Sequence, residues 1–347
     1  MEENKKYFSV NTLAPKEEGV TVFVKKVVGK KSDGFAVVDH GKVFAIDVGK
    51  ADDVELIDYL LSLREAWIGE NHLPEDMPAR LEIVMIVSHP HSDHIAALPL
   101  LLADERFCVT EVYAPMRSQI SFDAEKAPPS LVTCENRLEA LCELLASHGH
   151  TAKGITRIPF GKVYPVESGS PDTVMEIYPS HIDWSEDLPS DKAGYRYILA
   201  NNPASYKEKG LDPEKGYCNG VLNGNSLWIK VRKGENTVLI TGDQRDRDEM
   251  MGEMLRYYGE ETFKCDVLKL AHHGEENYSP HLLRVADPQF AVFTTSPDKV
   301  LPETLKLYEE YGCANYYTAD GNLFFDVSKK GVTAYGIEPR VKSSDAE

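Results

Sequence analysis

Long apolar runs are missing from this chain. Its 347 residues hold no run approaching the roughly 18 that cross a bilayer. Met1-Glu2-Glu3-Asn4-Lys5-Lys6 is followed by no apolar signal core. Cysteine is scarce: the 6 present, Cys108, Cys134, Cys142, Cys218, Cys265 and Cys313, form no C-x-x-C pair. They read as reduced, mostly buried thiols and not as a disulfide frame. Positive charge is the minority, Lys+Arg 38 against Asp+Glu 56, for a net −18. Gripping long nucleic acid wants a basic face, so that partner is not expected. Repeats by residue identity and low-complexity segments are absent too. The expectation is a cytoplasmic protein with no membrane partner and enough chain to bury a full core.

What is present concentrates in one stretch, His89-Pro90-His91-Ser92-Asp93-His94. Four metal-competent side chains fall within it, in a chain with only 11 His. It follows the β-branched run Ile83-Val84-Met85-Ile86-Val87, which reads as a buried strand, and precedes Ile95-Ala96-Ala97-Leu98-Pro99-Leu100, which reads as the start of a helix. The ligands therefore sit at the carboxyl end of a strand, where open α/β sheets place their chemistry. A mixed imidazole and carboxylate set suits zinc first.

Along the chain, residues 1–18 read as a polar segment lying loosely on the surface. Strands are predicted at Val20–Val24, Phe35–Val38 and Val43–Ile46, paired antiparallel, the last running into Asp47. Asp52 with Glu55 reads as a capping box opening a helix. Strands follow at Leu81–Ser88 and Cys108–Tyr113, then a helix from Pro128 that Gly149 ends. His148 and His150 flank that helix end and read as exposed groups favoured by its negative terminus. After a strand at Thr173–Tyr178, the stretch of about 179–223 has no period but carries aromatic residues, and reads as an ordered lid with His181 at its start. Ser226–Val231 and Thr237–Ile240 form a hairpin, and the second strand ends in Thr241-Gly242-Asp243. A helix from Asp246 to Tyr258 follows. The strand Asp266–Leu270 ends in Ala271-His272-His273-Gly274. A strand at Gln289–Thr294, a helix from Pro302 to Gly312, a hairpin about Asp320-Gly321 and a strand near Val332–Tyr335 complete a single domain over 19–337, with a polar tail at 338–347.

Three strand ends thus carry metal-competent groups: His89 to His94, Asp243, and His272-His273. If their strands share one sheet edge, the groups converge on one pocket.

H-x-H-x-D-H after a strand, an Asp closing an early strand (Ile46-Asp47), a later T-G-D and a final strand-end His resemble the metallo-β-lactamase superfamily of hydrolases. Within it, Asn223-Gly224-Asn225-Ser226-Leu227, Leu239-Ile240-Thr241-Gly242-Asp243, Leu268-Lys269-Leu270-Ala271-His272-His273-Gly274 and Tyr317-Thr318-Ala319-Asp320-Gly321 look like the soluble hydrolase domain of DNA-uptake competence (ComEC-type) proteins. The match spans roughly residues 20–336. It implies a four-layer αββα sandwich with one or two Zn2+ ions, Mn2+ or Fe2+ being alternatives. His89 and His91 would bind the first metal, Asp93 and His94 the second, and Asp243 would bridge them. The last ligand would be His272 or His273, with His272 favoured because it stands two before Gly274. His273 would then touch substrate or support the ligands. Asp93 and His273 are the candidate catalytic groups, and Asp47 would accept hydrogen bonds from the His loop.

The sequence departs from the family pattern in three places. Asn225 stands where the first metal usually finds its third imidazole, so that site is expected to be weak. Ser32-Asp33-Gly34 is a loose counterpart of the family's Gly-Asp pair. Glu275-Glu276 follow Gly274 and disfavour polyanionic substrates. The resulting expectation is a hydrolase that uses zinc-activated water on a phosphoester or another small ester-like substrate. The alternative is a metal-binding or regulatory module of the same fold with little turnover.

Overall fold

The computed structural model describes residues 7–15, 18–74, 78–118, 129–184, 220–244, 249–275 and 279–340. Most of the expected lid, the start of the helix expected at Asp246, and most of the expected C-terminal tail lie outside these residues.

Two sheets are stacked face to face. The first holds β1 (Phe8–Ser9), β2 (Val20–Val24), β3 (Phe35–Asp39), β4 (Lys42–Ile46), β5 (Ala79–Ile86), β6 (Phe107–Pro115) and β7 (Thr156–Ile158). The second holds β8 (Tyr164–Val166), β9 (Thr173–Tyr178), β10 (Trp228–Lys233), β11 (Asn236–Ile240), β12 (Val267–Lys269), β13 (Phe290–Phe293) and β14 (Ala314–Tyr317). The chain then returns to the first sheet with β15 (Leu323–Ser328) and β16 (Gly331–Tyr335), giving the orders β16-β15-β2-β3-β4-β5-β6-β7 and β14-β13-β12-β11-β10-β9-β8. Each sheet is antiparallel on one side and parallel on the other. The parallel registers begin at β4 with β5 and at β11 with β12.

Strand alternation sends one set of side chains into the gap between the sheets and the other set outward. Val22, Val37, Phe44, Ile86, Ile229, Val238, Val292 and Phe325 fill the gap. Phe23, Ala45, Met85 and Val109 point the other way, against α1 (Glu55–Glu70), α3 (Leu98–Ala103) and α4 (Pro129–Ser147), with the short α2 (Ser92–Ile95) between. On the far side Trp228, Leu239 and Leu268 pack on α5 (Glu249–Tyr258) and α6 (Pro280–Ala286), while Ala291 and Phe293 pack on α7 (Pro302–Tyr311). The result is the four-layer αββα sandwich expected of the sequence, with the parallel strands of both sheets ending at the same edge.

Several local expectations change. Phe8–Ser9 is not loose; it pairs in parallel with Ala79–Arg80. The helix after β4 begins at Glu55 without a side-chain cap, so Asp52 makes no capping box. The neighbouring Asp53 is instead buried against Lys25 and Ser32. The turn at Asp320-Gly321 does not close a hairpin. It carries the chain from β14 in one sheet to β15 in the other, where β15 pairs with β2 and β16.

Candidate metal centre

Asp47, the His loop, Asp243 and His272-His273 follow β4, β5, β11 and β12 respectively. Those strands end together, so the sheet stacking alone gathers their polar ends. Backbone contacts finish the job. Leu227 N donates to Ser88 O at 2.9 Å, Asp243 N donates to Ser226 Oγ at 3.0 Å, and His272 N donates to Gly242 O at 3.1 Å. A side chain at Gly242 would meet Ser226 Cβ at 2.5 Å, so the T-G-D turn needs glycine there.

Asp243 sits at the centre. Its Oδ2 lies 3.2 Å from His94 Nε2, 3.2 Å from His273 Nε2 and 3.8 Å from His89 Nε2. His273 Nε2 is also 3.4 Å from Asp93 Oδ2, and His89 Nε2 is 3.0 Å from His91 Nδ1. Two ligands each about 2.05 Å from a zinc ion at the tetrahedral angle stand about 3.3 Å apart. Four of these five separations match that edge, so the donors fit a small cation. Nε2 of His91 and Oδ1 of Asn225 are buried with no hydrogen-bond partner among the described residues. Buried polar atoms are rarely left so unless something else completes them.

Outer carboxylates set the rings. Asp47 accepts from Ser88 N at 2.8 Å, from Ser88 Oγ at 2.6 Å and from His94 Nδ1 at 2.8 Å. Asp33 accepts from His273 Nδ1 at 2.9 Å. With Nδ1–H committed to a carboxylate, each imidazole turns Nε2 toward Asp243, the arrangement that orients metal-ligating histidines. Asp33, His94, Asp243 and His273 each offer one ligand atom, and all four atoms lie within 4.8 Å of one another. Asp33, however, also ion-pairs with Lys269, whose Nζ donates to Thr241 O at 3.0 Å. Both of its oxygens face donors, so we read it as the group that orients His273, with Asp93 taking the ligand place.

The buried carboxylates favour positive charge in the pocket. Burial works against protonating His273, yet Asp243 and Asp33 outweigh it and push its pKa up to about 10. His94 is likewise raised despite burial, by Asp243 and Asp47. Asp243 is held well below the usual carboxylate range: burial opposes this, but His273 and His94 prevail. His91 moves the other way, to about 4, chiefly because it is buried. Three site residues keep left-handed backbones, Asp47 (φ 53), His272 (φ 48) and His273 (φ 59). Such conformations cost non-glycine residues about 1–2 kcal/mol each and cluster at functional sites. Gly274, at φ +84, completes that turn, and a Cβ there would meet Phe293 Cδ1 at 2.4 Å.

Spacing to Gly274 favours His272 as last ligand; in the structure it is His273 whose Nε2 reaches Asp243. Consecutive left-handed residues rotate the two rings apart, so His273 faces Asp243 while His272 Nε2 lies 3.5 Å from Lys31 Nζ. Asn225 donates to Met116 O at 2.7 Å, which leaves its Oδ1 buried beside the segment tied to Ser88. The remaining histidines are elsewhere. His150 braces backbone at Val109 N and Leu102 O, and His181 pairs with Glu253 at 3.5 Å. Asp33, Lys269 and Lys31 were not picked out as site residues from sequence. A lysine inside the apolar strand Val267–Lys269 was the available signal.

No protein-family model and no curated protein matches the sequence. Among solved structures the chain is similar to Zn(2+)-bound PqqB from Methylobacterium extorquens, at 12% identity and TM-score 0.45 over 87% of this chain and 99% of that one. It is similar to the metallo-beta-lactamase fold protein YhfI from Bacillus subtilis, at 11% and 0.43 over 89% and 100%. It is also similar to a diphosphatase of the PhnP family, at 12% and 0.38 over 89% and 98%. Identities and scores this low carry no activity, substrate or cofactor across; the layering rests on this chain's own strand pairing and core. No helix among the described residues is long and apolar enough to cross a membrane.

Proposed function

We propose that this chain is a metal-dependent hydrolase of the metallo-β-lactamase superfamily, of the ComEC-type subgroup, acting on a phosphoester or another small ester-like substrate. The observation that carries the reading is the convergence of His94, His273, Asp243 and Asp93 at tetrahedral-edge spacing, with Asp47 and Asp33 behind the two rings. Asp93, His94, Asp243 and His273 would hold one ion, zinc being the first choice for such donors, and His89 with His91 a second, weaker one. A divalent cation there acidifies a water and offsets charge on the substrate oxygen.

The chain's own residues do the rest. Asp47 and Asp33 keep Nδ1 protonated on His94 and His273, so that a cation displacing the second proton would meet the Nε2 lone pair of each ring. Lys269 offsets the charge of Asp33, which would otherwise add to that of Asp243 and Asp93. Asp93, whose side chain is 17% exposed against 2% for Asp243, would be the donor most able to leave the ion, which frees a coordination position, and then to take a proton from an attacking water and pass it to solvent. The test is elemental analysis of the purified protein together with hydrolysis of bis(4-nitrophenyl) phosphate, before and after Asp243→Ala. Stoichiometric metal and turnover, both lost in the variant, support the reading. A tightly held ion with no turnover on ester and phosphoester panels would favour a binding or regulatory module.

A further inference from the structure

At the rim of the same site stands a charge pair that the reading above does not use. Lys31 Nζ lies 3.2 Å from Glu275 Oε2 and 3.5 Å from His272 Nε2, with the two charged side chains 28% and 17% exposed. Their backbones are pinned. Lys31 makes a β-bridge with Thr295, and Leu301 N donates to Glu275 O at 2.9 Å. Thr295 is fully buried, and its Oγ1 lies 3.1 Å from Lys30 O and 3.2 Å from Glu275 Oε1. The backbone positions that carry the ammonium and its carboxylate are therefore fixed by the fold.

We infer that Lys31, with His272 beside it, is the anion-recognition group of this site, and that Glu275 restricts it to singly charged substrates such as phosphodiesters. This rests on the hydrolase reading. An ion pair that keeps part of each side chain in water is only weakly stabilising, so an incoming anion can take Glu275's place on Lys31. The Glu275 carboxylate stays near, held through Oε1 by Thr295, and its charge repels a second negative charge on the ligand. Lys31 supplies one positive charge, which a single anionic charge on the ligand matches once it has displaced Glu275; a second would be unpaired and would face the displaced carboxylate.

The experiment uses the full chain, with and without added zinc, titrated with diphenyl phosphate (one charge) and phenyl phosphate (two charges near pH 8), binding being followed by NMR. The wild type should bind diphenyl phosphate the more tightly. Lys31→Met should weaken that binding roughly tenfold, the loss of one charge-assisted hydrogen bond. Lys31→Arg should keep it within about threefold, since a guanidinium also pairs with phosphate. Glu275→Gln should strengthen phenyl phosphate more than diphenyl phosphate. Unchanged binding in Lys31→Met, a wild type that prefers the dianion, or no binding at millimolar ligand would each overturn the inference. Binding that follows this pattern without any turnover would sink the hydrolase reading and leave the recognition role standing.

Discussion

At the floor of the site each charge is locked to another, whereas at its mouth one pair stands partly open to water. The floor runs from Lys269 through Asp33, His273, Asp243 and His94 to Asp47, all buried. The mouth is Lys31, Glu275 and His272. In a buried setting, removing one member strands an uncompensated charge, and the penalty is large. At a partly exposed setting water and salt screen some of the same loss. The floor is thus suited to hold a cation in one geometry, and the mouth to exchange partners.

The comparison is broken most directly at its centre. Asp243→Ala and His273→Ala should each abolish stoichiometric metal and lower any turnover by ~10³-fold or more, because each removes a donor that the remaining groups cannot replace. Metal analysis and phosphodiester hydrolysis read both losses. Full metal content in His273→Ala would move the last ligand back to His272.

Next in size is Lys269→Met. Leaving Asp33 buried without its ion-pair partner should cost about 3–5 kcal/mol in denaturant unfolding. Adding Asp33→Asn, which keeps an acceptor for His273 Nδ1 but removes the charge, should restore a large part of that. Additive losses in the double variant would show that the two do not act as a pair.

These residues also show where sequence reading reaches. The His89–His94 stretch was legible because its chemistry and its strand-end position are both local. Asp243 and the His272-His273 pair followed from the same logic at two more strand ends. Asp33 was not legible in the same way. Lys30-Lys31-Ser32-Asp33-Gly34 has the composition of a surface turn, and its last three residues are buried by contacts distant in sequence, among them Asp33 N to Asp93 O at 3.2 Å. Choosing between His272 and His273 required the sign of φ at two adjacent residues, which spacing to Gly274 does not encode. The Asp320-Gly321 turn was recognised by its chemistry, but which strands it joins depends on β2, about 300 residues away in sequence, as the partner of β15.

A smaller effect is expected one layer behind the ligands. Asp47→Asn keeps an acceptor for Ser88 but weakens the hold on His94 Nδ1–H. Metal affinity should fall by about 10–100-fold, measured by competition with a chelator, with the folded state retained. An unchanged affinity would mean that His94 is oriented by packing alone.

The smallest expected change sharpens the boundary between floor and mouth. His272 and His273 are consecutive and both buried, yet one ring faces Lys31 and the other Asp243. His272→Ala should leave metal content unaltered and weaken diphenyl phosphate binding by about two- to fivefold, the scale of a partly screened contact. Because the left-handed turn is set by Gly274 and by backbone bonds such as His272 N to Gly242 O, truncating the ring leaves its neighbour in place. Loss of metal in His272→Ala would place this residue at the floor, and the separation between a cation-holding base and an anion-sorting rim would not hold for this fold.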